Sequence, residues 1–141
     1  MLKGIPPIIS PELMKVMMEM GHGDEIVLAD GNYPAASHSN RIINGHGHGV
    51  ADFLQAILEF FPLDTYVTFP VMLMNPVEGD EKKPVIWQTY EDIIKKTSDF
   101  PVQIEKIESM DFYERSKAAY AIIATSERAQ YANLILKKGV L

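Results

Sequence analysis

Apolar runs of strand length alternate with stretches of helical periodicity from one end of this 141-residue chain to the other. That alternation limits the fold more than any other feature. Runs at 25–29, 66–74, 102–107, 120–125 and 133–136 predict strands, and the three-to-four spacing of apolar residues predicts helices near 11–20, 50–61, 85–96 and 110–119. Elements interleaved in this order favour an α/β layered fold, a central mixed sheet flanked by helices. A chain of this length builds one good core, so residues 1–141 are expected to form one domain with one site.

The helix boundaries follow from local chemistry. Ser10-Pro11-Glu12 offers a capping hydroxyl, proline at the first helical position and a carboxylate at the positive end of the dipole. Leu13, Val16, Met17 and Met20 then share one face, and Gly21 is a natural stop. In the second helix Val50, Phe53, Leu54, Ile57, Leu58 and Phe61 keep the helical spacing until Pro62, which cannot continue it. Trp87 is expected to anchor the third. The segment from Tyr33 to Gly49 is rich in Ser, Asn, Gly and His and reads as surface loop, with only Arg41-Ile42-Ile43 strand-like. Asn75 to Pro84 reads as an exposed loop.

Acidic residues outnumber basic ones by 19 to 13, giving a formal net charge of −6, a balance that repels phosphate backbones and anionic membrane surfaces. Neither nucleic acid nor a membrane is an expected partner. The absence of cysteine excludes disulfides and thiolate chemistry. The first ten residues lack a signal-peptide run and no segment approaches the ~20 apolar residues of a membrane span. A cytoplasmic protein is the expectation.

The segment MGHGDEIVLADGNYP, Met20 to Pro34, is the most informative stretch. It sets His22 between two glycines before a strand and Asp30 at the strand's far end. An imidazole with so little cover from its neighbours is accessible for proton exchange. A histidine there also serves as a helix C-terminal charge partner, and position alone leaves both readings open. Asp30, followed by Gly31 and Asn32, is either a turn aspartate bonding its own backbone or an acceptor for a ligand hydroxyl. His46 and His48, in Gly45-His46-Gly47-His48-Gly49, lack the i, i+4 helical geometry and the third ligand of a strong metal site, so no metal is expected. Tyr131 and Asn133, two apart at the start of the last strand, would point the same way. An aromatic face beside an amide suits a sugar, and suits core packing equally.

At MGHGDEIVLAD, at FYER (Phe112 to Arg115) and at YANLILKKGV (Tyr131 to Val140) the chain strongly resembles the ribose pyranase and fucose mutarotase family. The match runs almost end to end, and ISPEL (Ile9 to Leu13), LDTY (Leu63 to Tyr66) and the tyrosine of FYER look like the fucose branch. The resemblance implies a compact α/β protein that interconverts the α and β anomers of L-fucose without a cofactor, assembled as a ring-like homo-oligomer, typically a decamer, with sugar sites close to subunit boundaries. It implies His22 as the catalytic residue and Asp30, Asp64, Tyr113, Tyr131 and Asn133 as substrate-binding residues. Activity on D-ribose, or monosaccharide binding without catalysis, are the alternatives. Ser109 stands where fucose-branch members often carry arginine, and His46 where the family's loop carries aspartate.

Overall fold

A computed structural model describes residues 1–141. Five helices, α1 (Pro11–Glu19), α2 (Ala35–His38), α3 (Val50–Ile57), α4 (Ile86–Thr97) and α5 (Ser109–Ala118), surround one six-stranded sheet. Its strands are β1 (Glu25–Ala29), β2 (Ile42–Gly45), β3 (Val71–Met74), β4 (Ile104–Ile107), β5 (Ala121–Thr125) and β6 (Leu134–Lys137), in spatial order β2-β5-β1-β6-β3-β4. β1, β2 and β5 run parallel, as do β3 and β4, while β6 lies antiparallel between β1 and β3. Five strands therefore end on one edge of the sheet, and the reversed β6 begins there.

Both faces of the sheet are covered, which is why its central strands read as unbroken apolar runs. Alternation along β1 sends Ile26 and Leu28 into a large core under α1, α3 and α4, and Val27 and Ala29 into a smaller core with Tyr33, Ala35 of α2 and Phe112 of α5. The Ser10 hydroxyl caps α1 by accepting from the Leu13 amide at 3.1 Å. Trp87 is buried as expected. No helix is long and apolar enough to cross a membrane.

Three local expectations need correction. The run from Tyr66 to Met74 becomes a strand only at Val71: the Asp64 carboxylate accepts the Tyr66 amide at 3.0 Å, turning the chain, and Pro70 has no N–H to give a ladder. In the 33–49 segment the strand-like run at Ile42-Ile43 does become a strand, β2, and the unexpected element is the short helix α2. Tyr131 and Asn133 precede β6, and Tyr131 takes a left-handed φ of 55°, so strand alternation does not govern their directions.

Near the C-terminus Gly139 passes directly over the segment that carries Asp64. A Cβ there would lie 2.6 Å from the Leu63 carbonyl oxygen and 2.8 Å from Asp64 Cα, both backbone atoms that cannot swing aside. Gly139→Ala is expected to destabilise the fold by about 1–3 kcal/mol, the usual range for overpacking. Urea unfolding checks this, and a midpoint equal to that of the unaltered protein would refute it.

Candidate functional site

The sequence-selected residues divide between the two edges of the sheet. At the edge where β1, β3 and β5 end, a cleft of about 320 Å³ is lined by Asp30, Tyr33, Asp80, Tyr113, Tyr131 and Asn133, with Lys82 and Gln130 at its side. This is the crevice outside the carboxyl ends of parallel strands where open α/β sheets bind ligands, and its size falls at the small end of ligand sites.

Asp30 and Asn133 form its floor. Both are buried, with 7% and 4% of their surface exposed. They hold each other reciprocally: the Asp30 amide donates to Asn133 Oδ1 at 2.7 Å, and Asn133 Nδ2 donates to Asp30 Oδ2 at 3.0 Å. The other carboxylate oxygen accepts the Asn32 amide at 2.9 Å. Burial pushes the Asp30 carboxyl above the usual carboxylate range, against the opposing pull of hydrogen bonds from Asn32, Ala132, Asn133 and Tyr33. The turn-aspartate reading holds, and the same side chain lines the cleft.

Aromatic side chains make one wall. Tyr33 stacks on Tyr113 with ring centroids 5.4 Å apart, and its hydroxyl donates to Ser116 Oγ. Burial pushes the Tyr33 phenol up to about 12. Tyr131 is held at its carbonyl by the Trp87 indole N–H at 2.8 Å. Its hydroxyl donates to Asp80 Oδ2 at 3.0 Å, a bond that, with burial, raises the phenol above its ordinary value. Left-handed backbone costs a non-glycine residue on the order of 1–3 kcal/mol, so Tyr131 holds this conformation because its neighbours over-determine it. Phenols, an amide and carboxylates with a single lysine suit a neutral, hydroxyl-rich ligand better than an anion.

His22 lies at the opposite edge. The five-residue β1 and the turn before it separate His22 from Asp30 by on the order of 15 Å or more. Its loop is pinned by the Gly21 amide donating to Asp24 at 2.7 Å and the Gly23 amide donating to the Lys138 carbonyl at 2.8 Å, with Gly23 at a φ of 86° that only glycine adopts easily. His22 Nε2 is 3.1 Å from Asp64 Oδ1, and the pair is lopsided, 44% of the His22 side chain being exposed against 2% for Asp64. Burial raises the Asp64 carboxyl, but the Tyr66 amide and His22 outweigh it and hold the group below its usual value. Asp64 is thus turned onto the imidazole with almost no surface left for a ligand hydroxyl. The Tyr66 ring sits 5.3 Å from that of His22.

The structure therefore brings Asp30, Tyr113, Tyr131 and Asn133 together, and separately His22 with Asp64. Asp80, Lys82, Gln130 and Tyr33 were not selected from sequence. Tyr33 lay inside the informative motif, whereas the loop residues Asp80 and Lys82 carry no local signal. Ser109 opens α5, and neither it nor His46 lines the cleft. No group of three or more His, Asp or Glu side chains is arranged to hold a metal ion. A larger hollow of about 870 Å³ between the N-terminal arm and α1 is mainly apolar and lacks this convergence of polar groups.

Sheet and cleft define the chain as a single-sheet α/β protein with a small polar cleft at the strands' carboxyl edge. Residues 3–141 match the model of the RbsD / FucU transport protein family, and the chain belongs to that family. It is 47% identical over 140 residues to the L-fucose mutarotase of Actinobacillus pleuropneumoniae serotype 5b (strain L20), covering 99% of this chain and 97% of that one. The L-fucose mutarotase of Haemophilus influenzae (strain 86-028NP) is 45% identical over the same coverage. Among solved structures, the fucose mutarotase from Streptococcus pneumoniae in complex with L-fucose superposes with a TM-score of 0.95 at 52% identity over 99% of each chain. Bacillus subtilis RbsD complexed with D-ribose shares the fold, with a TM-score of 0.77 at 24% identity over 100% of this chain and 99% of that one.

Proposed function

We propose that this protein is an L-fucose mutarotase, with His22 as its acid/base group and Asp30, Tyr113, Tyr131 and Asn133 as its sugar-binding residues. The observation that supports this most strongly is its likeness, over nearly the whole length, to a fucose mutarotase in complex with L-fucose. Changing an anomer requires only proton transfer. The anomeric hydroxyl loses its proton, the ring oxygen gains one, and the bond between the anomeric carbon and the ring oxygen breaks to leave an open-chain aldehyde. Rotation about the adjacent carbon–carbon bond and reclosure on the other face give the second anomer. Imidazole serves both directions of that transfer. Asp64, bonded to Nε2, orients the ring and leaves Nδ1 free for the sugar. Asp30 accepts from sugar hydroxyls, while the phenols and the Asn133 amide fix the ring.

The separation of His22 from the cleft gives the site its architecture. One chain cannot bring both to one sugar, so the His22–Asp64 pair of one copy completes the cleft of another. Such a head-to-tail contact forms a ring when its rotation closes, which agrees with the ring-like homo-oligomer, typically a decamer, that the family resemblance implies. The cytoplasm is the proposed compartment.

Exchange between α- and β-L-fucose, followed by NMR saturation transfer on the purified protein, tests the activity. Acceleration over buffer is expected, and exchange at the buffer rate would overturn the assignment. The shared site has its own test. His22→Asn and Asp30→Asn are each expected to keep only a small fraction of full activity alone. Co-expressed in equal amounts, they should recover roughly a quarter of full activity, the share of sites that draw an intact half from each chain. Mixed oligomers without recovery would exclude a site built from two copies.

A further inference from the structure

Asp80 reaches the cleft from the loop between β3 and α4, and its contacts form a chain across one wall. Its Oδ2 accepts the Tyr131 hydroxyl at 3.0 Å and its Oδ1 accepts the Lys82 amide at 3.2 Å. The Lys82 ammonium lies 3.8 Å from the same carboxylate and donates to Gln130 Oε1 at 2.9 Å, next to Tyr131 in sequence. The loop is thereby stitched to the segment before β6, whose carbonyls are gripped from α4 by Trp87 at Tyr131 and by the Tyr90 hydroxyl at Ala132, each at 2.8 Å. Tyr131 is the only non-glycine residue with positive φ. So much fixation at one strained residue goes beyond what a loop tether requires.

The direction of the bond carries the argument. A phenol has one proton, and once it is donated to a carboxylate, which can only accept, the oxygen offers the cleft nothing but lone pairs. Without that carboxylate the hydroxyl would rotate and donate or accept as its neighbours allowed.

We propose that Asp80 is a positioning residue that commits the Tyr131 hydroxyl to accept a hydrogen bond from a hydroxyl of the bound sugar. This role rests on the mutarotase reading of the cleft. Asp80 acts through Tyr131, with Lys82 offsetting its charge, and Asp30 is the other carboxylate of the same cleft.

The test combines Asp80→Asn, Tyr131→Phe and the double variant. Asp80→Asn keeps the shape of the side chain but removes the obligatory acceptor. It should slow anomer exchange about tenfold or more, the factor carried by one hydrogen bond to a charged group. Phenylalanine has no hydroxyl to orient, so the double variant should be no slower than Tyr131→Phe alone. Losses that multiply would overturn the role, as would wild-type exchange in Asp80→Asn. A readout independent of activity is the ring carbon of Tyr131 bearing the hydroxyl, followed by NMR as pH rises and assigned by its absence in Tyr131→Phe. Its midpoint should fall toward the ordinary tyrosine value in Asp80→Asn, and an unmoved midpoint would overturn the contact itself. Absence of L-fucose exchange in the unaltered protein would overturn both the mutarotase reading and the role built on it. The titration distinguishes that failure from a missing Asp80–Tyr131 bond.

Discussion

Replacing His22 by asparagine is expected to lower catalysed exchange between the anomers of L-fucose by about 10²–10⁴-fold, the contribution of one positioned acid/base group. The fold should survive. The side chain is 44% exposed, and substitutions at such surface positions usually stay within about 0.5 kcal/mol. Asparagine also retains an N–H for the buried Asp64 carboxylate, so the variant leaves no orphaned charge. Asp64→Asn should cost less activity, because the imidazole remains and only its orientation weakens. Saturation transfer on both variants, with thermal unfolding as the control for folding, checks the order. Undiminished exchange in a folded His22→Asn protein would remove the histidine from the mechanism.

The same histidine marks where sequence reading succeeds and where it stops. β1 is legible to its ends, because a strand buried on both faces is a continuous apolar run with polar residues outside it. That run also fixes His22 and Asp30 on opposite edges of the sheet. The family resemblance gave both to one sugar site, whereas extended backbone carries them apart within a chain, and only the second copy in the proposed ring reunites them. The His22–Asp64 contact spans 42 residues and the Asp30–Asn133 pair 103, so neither leaves a local pattern to read. The family resemblance named all four residues, but their partners emerge only in the fold. The strand expected from Tyr66 failed for the opposite reason. Its apolar composition was genuine, but one carboxylate accepting the Tyr66 amide and one proline override it locally. Asp80 was illegible because a loop aspartate after a glycine is common, and its meaning lies in the phenol it meets.

Asn133→Leu is expected to have the largest effect on stability, because it breaks both halves of a buried reciprocal pair. The Asp30 amide loses its acceptor and the Asp30 carboxylate loses a donor, and leucine supplies neither. Leaving such groups buried and unsatisfied costs about 2–4 kcal/mol in all. The cost should depend on pH in a direction that identifies its source. Burial already holds the Asp30 carboxyl above its unfolded value, and the Asn133 bond is one of the forces pulling it back. Without that bond the folded-state value rises further. A carboxyl raised in the folded state destabilises the fold while it is ionised, and the penalty fades as pH falls through the raised value and is gone below the unfolded value of about 3.9. The deficit of Asn133→Leu relative to the unaltered protein should therefore be greatest near neutrality and shrink on acidification. Asp64 behaves in the opposite sense. Its folded value is lowered, so the stability it adds is present above its unfolded value and is lost as pH falls through the folded one, in both proteins alike. Subtracting the two denaturation series cancels that common loss and isolates Asp30. A deficit that stayed constant from pH 7 down to about 4 would mean that the loss acts through the orphaned Asp30 amide and packing, with no part for the carboxylate.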